Sequence, residues 1–189
     1  LGPSPLAIEA MKKYMGVINR YEWYETDQTG EIHHLHPVNM LLQALARTDG
    51  IPLSDPFDPA VAHPYFISCG VDQILKLLAV VYLTPGHRAS IETEPGYGEI
   101  SEKAHLINDS GIPTRVTRVP LTADHRNDLN AILQAITPET ALVTITNPNN
   151  PTGTLLSYDA LASFVDAVPK QGIVIIDEAY HHFIRAPNH

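Results

Sequence analysis

From Tyr65 onward the chain alternates short apolar runs with amphipathic segments, the pattern of βαβ units built on a mainly parallel sheet. The spacing predicts strand Tyr65–Ser68 before helix Val71–Tyr82, strand Ala89–Thr93 before helix Tyr97–Asn108, and then strand Arg115–Val119. Helix Asp128–Ile136, strand Ala141–Thr146, helix Ser157–Val168 and strand Ile173–Ile176 complete the series. In Leu142, Val143 and Ile145, and again in Ile173–Ile176, apolar residues do not alternate cleanly with polar ones, as expected of strands covered on both faces. The expected fold class is therefore α/β, a three-layer, mainly parallel sheet with helices on both faces. Ligands of such a sheet bind at the carboxyl ends of its strands.

The first third of the chain reads differently. Pro5, Leu6, Ile8, Met11, Met15 and Ile18 recur at helical spacing, and a proline in a first turn loses no hydrogen bond, so a helix is expected from Pro5 to Asn19. Tyr21 to Pro64 is rich in Pro, Asp and His and reads as loop, interrupted by an apolar helix from Val38 to Ala46. Residues 1–64 are thus expected to form a loop-rich N-terminal segment and residues 65–189 a larger ligand-binding domain, with no internal repeat.

Composition narrows the function. With 44% hydrophobic and 17% charged residues, the 189-residue chain can build a core. A formal charge of -9 argues against a nucleic-acid partner, because attraction to phosphates dominates such affinities. Cys69 is the only cysteine, so an internal disulfide is impossible and a reducing, cytoplasmic setting is expected. No apolar run approaches a bilayer-crossing length, so no membrane partner is expected. Leu1 at the start and the trailing Ile184–His189 read as cuts, so essential residues can lie outside this chain.

Four turns carry candidate chemistry. Ser68-Cys69-Gly70-Val71-Asp72-Gln73 joins a strand to a helix, where free N–H groups and the helix dipole suit a phosphate. The plainer reading is an ordinary glycine turn with Asp72 favouring the helix N-terminus. In Glu94-Pro95-Gly96-Tyr97-Gly98 an aromatic ring between two glycines can stack on a planar heterocycle, or can simply cap the core. Asn147-Pro148-Asn149-Asn150-Pro151-Thr152-Gly153 has a density of Asn, Pro and Gly beyond the needs of a merely structural turn. Asp177-Glu178-Ala179-Tyr180 ends a buried strand, where a carboxylate is costly without a cationic partner, so a positive group is expected to meet Asp177; the plainer readings are a helix N-cap or an arginine salt bridge.

This run of motifs resembles the fold type I pyridoxal-phosphate (PLP) enzymes, and most closely the class I/II aminotransferases related to histidinol-phosphate aminotransferase. The resemblance covers Tyr65 to Ile184 well and the earlier segment loosely. It implies pyridoxal 5'-phosphate as cofactor, with Gly70, Val71 and Asp72 in the phosphate cup and Tyr97 stacked on the pyridine ring. Asn150 and Tyr180 match the groups that reach the ring oxygen O3′, and Asp177 matches the carboxylate paired with the ring nitrogen. Asp177 and Tyr180 thus take the catalytic roles. Tyr21 resembles a tyrosine that contacts the phosphate of a neighbouring subunit, with Tyr24 a rival, since the family's following proline is Glu22 here.

The resemblance further implies transfer of an amino group between an amino acid and a 2-oxo acid, by a homodimer. It places the Schiff-base lysine and the arginine that grips the substrate carboxylate beyond His189, together with a small C-terminal domain; none of Lys12, Lys13, Lys76, Lys103 and Lys170 fits the lysine's role. This piece alone is accordingly expected to be inactive and poorly soluble. A lyase or decarboxylase on the same fold and a non-catalytic PLP-binding remnant are the alternatives. His33, His34, His36 and His63 read as a solvated loop and not as a metal site, because no accompanying helical ligand spacing supports one. Of the adjacent His181 and His182, at most one can face a cofactor.

Overall fold

The protein is represented by a computed structural model that describes residues 2–15, 25–26, 32–33, 37–51, 53, 64–83, 88–98, 100 and 114–185. The chain divides into two compact units, Leu1–Ile67 and Ser68–His189.

In the first unit, helix α1 (Pro5–Tyr14) begins with proline at its first turn and carries Lys12 and Lys13 in its last, where cations complement the helix dipole. Its apolar residues Leu6 and Met11, and Met15 just beyond it, are exposed. Strands β1 (Glu25–Thr26) and β2 (Ile32–His33) form a short antiparallel ladder. Helix α2 (Pro37–Asp49) extends beyond the apolar stretch that predicts it, burying Leu42 and Ala46. It closes at Gly50, whose φ of 68° lets the Ile51 amide return to the Ala46 carbonyl at 3.0 Å. The part of the expected N-terminal helix after residue 15 lies outside the described residues, as do Tyr21 and Tyr24.

The second unit holds a four-stranded sheet in the order β4-β3-β5-β6, all parallel. Its elements are α3 (Val71–Tyr82), β3 (Ala89–Glu94), β4 (Arg115–Pro120), α4 (Leu129–Ala135), β5 (Thr140–Thr146), α5 (Tyr158–Ala167) and β6 (Ile173–Asp177), followed by a 3-10 turn at His181–Phe183. Local chemistry sets the boundaries. The Asp128 side chain accepts from the Ala131 amide at the start of α4, and Ser157 accepts from Ala160 at the start of α5.

Strand β5 is buried along its whole length. Val143 and Ile145 pack with Ile91, Ile132, Leu161 and Phe164 beneath α4 and α5, while Leu142 packs with Leu75, Ala79 and Ile100 beneath α3. Each such fully buried aliphatic chain stabilises the fold by about 1.5–3 kcal/mol relative to exposure. The three-layer α/β arrangement expected from the unbroken apolar runs is the one found.

Two expectations change. Residues 65–68 are not a strand: no described strand pairs with them, Phe66 is 63% exposed, and an extended segment without a ladder partner has no sheet to join. The helix expected from Tyr97 starts later, since Tyr97 and Gly98 are coil and Ile100 is helical; residues 101–113 lie outside the described set.

Candidate functional site

Because the four strands are parallel, the turns that leave them lie along one carboxyl edge of the sheet. The helix that precedes β3 brings its own N-terminus to this edge. Gly70 adopts φ 88° there, a left-handed conformation that glycine takes without strain, and its amide is already engaged with the Ser68 carbonyl at 2.9 Å. The amides left for an anion are therefore those of the first helical turn, from Val71 onward. Asp72, in that turn, accepts a hydrogen bond from the Tyr97 hydroxyl at 2.8 Å. The structure thus joins the phosphate-cup candidate to the stacking candidate.

The turn that carries Tyr97 is tight. A Cβ on Gly96 would lie 2.3 Å from the Thr93 carbonyl oxygen, so this position admits glycine alone. The following proline-asparagine turn is organised by the asparagines the sequence singles out, but they divide the work. Asn147, 3% exposed, folds onto the backbone ahead of α5, accepting from the Leu156 amide at 2.8 Å and donating to the Leu156 carbonyl at 3.4 Å. Asn149, 2% exposed, donates to the Pro95 carbonyl at 3.3 Å and to Thr152 Oγ1 at 2.9 Å. Asn150 is the one left half-buried, facing a cavity.

That cavity, about 560 Å3, is lined by Asn150, Pro151, Gly153, Tyr180, Phe183 and Arg185 among others. It brings two predicted site residues together, Asn150 and Tyr180. Phe183 and Arg185 were missed by the sequence reading, although both follow Tyr180 within a few residues; Phe183 stands 6.4 Å from Tyr180 between ring centroids. A neighbouring cavity of about 590 Å3 shares Asn150 and Pro151 and is lined also by Glu92, Glu94 and Arg118.

Asp177 ends β6 in register with Thr146 and is 8% exposed. Its carbonyl accepts from the Asn147 amide at 2.9 Å, and its Oδ1 accepts from the Ala179 amide at 3.0 Å. Among the described residues no Lys, Arg or His side chain pairs with this carboxylate, whose side-chain partner is the Ala179 amide. His181 lies 3.9 Å from Glu178, its imidazole edge-on to His182, and neither histidine lines the cavity beside Tyr180. Among the described residues no group of three His, Cys, Asp or Glu could hold a metal ion; His34, His36 and His63 lie outside them.

The profile of the family Aminotransferase class I and II matches residues 61–188. The chain belongs to the class I and II aminotransferases. Histidinol-phosphate aminotransferase of Moorella thermoacetica is 33% identical to this class I and II chain over 189 residues, covering 100% of it and 42% of the relative. The aromatic amino acid aminotransferase of Corynebacterium diphtheriae is 32% identical over 183 residues, covering 97% and 45%. Among solved structures, histidinol-phosphate aminotransferase from Sinorhizobium meliloti, in complex with pyridoxal-5'-phosphate, superposes with a TM-score of 0.70 at 25% identity, covering 95% of this chain and 42% of that one. The chain spans less than half the length of the curated relatives it matches.

Proposed function

We propose that the protein carrying this chain is a PLP-dependent aminotransferase that moves an amino group between an amino acid and a 2-oxo acid. The observation that carries this reading is Asp177, a buried carboxylate whose side chain meets a single backbone amide and no cation among the described residues. An uncompensated buried charge is costly, and a protonated pyridinium nitrogen is the cation that would complete it. When bound, PLP supplies an electron-accepting ring that stabilises negative charge developing at the substrate α-carbon, and it carries the amino group between the two halves of the reaction.

The chain's own residues take the remaining tasks. Asp177 keeps a proton on the ring nitrogen. Asn150 and Tyr180, which line one cavity, offer an amide and a hydroxyl to the ring oxygen. The face of Tyr97 orients the ring, with its hydroxyl tethered to Asp72. The first-turn amides of α3, beyond Gly70, receive the phosphate with the favourable end of the helix dipole. By the resemblance, the working unit is a homodimer in which Tyr21 or its rival Tyr24, both outside the described residues, would contact the phosphate of a second copy. The setting proposed, from the lone cysteine and the resemblance, is cytoplasmic amino-acid metabolism.

The test is an absorbance titration of the protein with PLP, followed by addition of an amino donor. A bound-cofactor band that converts to the pyridoxamine form, with one 2-oxo acid released per amino group taken up, supports the reading. Release of ammonia with pyruvate points to a lyase, and the lack of any band removes the enzyme claim.

A further inference from the structure

The Asn149 side chain links two of the turns along the carboxyl edge, and Thr152 and Thr154 extend the link to a third. The amide nitrogen of Asn149 donates both to the Pro95 carbonyl at 3.3 Å and to Thr152 Oγ1 at 2.9 Å. A carbonyl can only accept, so the nitrogen of the carboxamide has to face Pro95, and its two protons are then both committed. Thr152 is therefore an acceptor from Asn149, and its single proton turns to Thr154 Oγ1 at 2.8 Å or to the His125 carbonyl at 3.2 Å. Thr154 donates to that same carbonyl at 2.7 Å, which ends the relay.

The far end of the relay is held by hydrogen bonds. His125 has φ 61° and presents its carbonyl from a turn in which Thr122 and Arg126 exchange hydrogen bonds. Arg126 also holds Asp124 at 2.8 Å and donates to the Leu155 carbonyl, so the turn after β4 is clamped to the segment that follows Asn150.

The Asn149 carboxamide oxygen has no hydrogen-bond partner among the described residues, so the two donor bonds, to Pro95 and Thr152, are what tie this side chain to its surroundings. What the amide does provide is a fixed distance between two turns, since Pro95 precedes Tyr97 by two residues and Asn149 adjoins Asn150. We propose that Asn149 is a positioning residue, which sets Asn150 relative to Tyr97 and is anchored through Thr152 on the left-handed His125 turn. This rests on the reading that Asn150 and Tyr97 hold PLP.

The experiment compares PLP affinity, by absorbance titration, with the melting temperature of the cofactor-free protein. Asn149→Leu is expected to melt within a few degrees of the unsubstituted protein and to bind PLP about tenfold more weakly, the loss of roughly one net hydrogen bond of restraint. Thr152→Val should weaken PLP in the same direction, and Thr152→Ser, which keeps the hydroxyl, should restore it. Equal PLP affinity for all variants and the unsubstituted protein overturns the inference alone. A fall in melting temperature with affinity unchanged also overturns it, since it marks a purely structural role. If Asn149→Leu does not fold, the Thr152→Val and Thr152→Ser pair decides by the same criteria. If the unsubstituted protein takes up no PLP, the functional reading falls and this inference with it.

Discussion

Tyr97 donates its hydroxyl proton to Asp72 Oδ1 at 2.8 Å, tying the turn after β3 to the first turn of α3. The ring proposed to orient the cofactor is thereby held from the helix end proposed to receive its phosphate. Tyr97→Phe keeps the ring and removes its hydrogen bond to Asp72. Because the bond is exposed, stability should change by about 1 kcal/mol or less, while PLP affinity falls roughly three- to tenfold. Asp72→Asn, which retains an oxygen acceptor, should lose less. Denaturant melts paired with PLP titrations check both; equal affinity in Tyr97→Phe would detach Tyr97 from the site.

Gly96→Ala tests the tightness of the same turn. Its new Cβ would meet the Thr93 carbonyl oxygen at 2.3 Å, a backbone atom that cannot turn aside. Destabilisation of about 1–3 kcal/mol is expected from forced overpacking, read as a lower denaturation midpoint. An unchanged midpoint would mean that the turn relaxes freely.

Asp177→Asn separates stability from chemistry. The asparagine oxygen can still accept from Ala179, and removing a buried charge that lacks a cation should leave the cofactor-free protein as stable as before or slightly more so. Activity of the PLP-loaded protein should fall by at least about a hundredfold, as for the loss of a preorganised electrostatic partner. Steady-state rates beside thermal melts measure the two effects; retained activity would place the pyridinium partner elsewhere.

Asp124 gives a pH signature to the turn that anchors the relay. The Thr122 hydroxyl, and then Arg126, stabilise its charged form and hold its carboxyl below the ordinary aspartate value. A depressed folded pKa means a contribution that is complete above the unfolded pKa, about 4, and that is lost as the pH falls from there through the lower folded value. Asp124→Asn should flatten this part of the acid limb of the stability curve. Melting temperatures measured across the acid range in both proteins test the difference, and parallel curves would refute it.

The alternation of elements was legible because a strand buried on both faces needs an unbroken apolar run, and Leu142, Val143 and Ile145 of β5 provide one; the equally apolar Ile173–Ile176 of β6, at the end of the described sheet, are only half-buried. The same local logic marked the turns at Gly70, Tyr97, Asn150 and Asp177, since glycine, proline and asparagine declare their backbone requirements within a few residues. The four residues from Tyr65 to Ser68 misled because apolar character alone does not supply a neighbouring strand.

What composition could not assign was the division of labour inside those turns. The sequence by itself determined that three asparagines crowd one loop. Only the stacking of the strands decided that Asn147 braces Leu156, that Asn149 spans 54 positions to reach Pro95, and that Asn150 is left facing the cavity. A donor in a turn is a local fact, whereas its acceptor is whatever the packed sheet brings within hydrogen-bond reach.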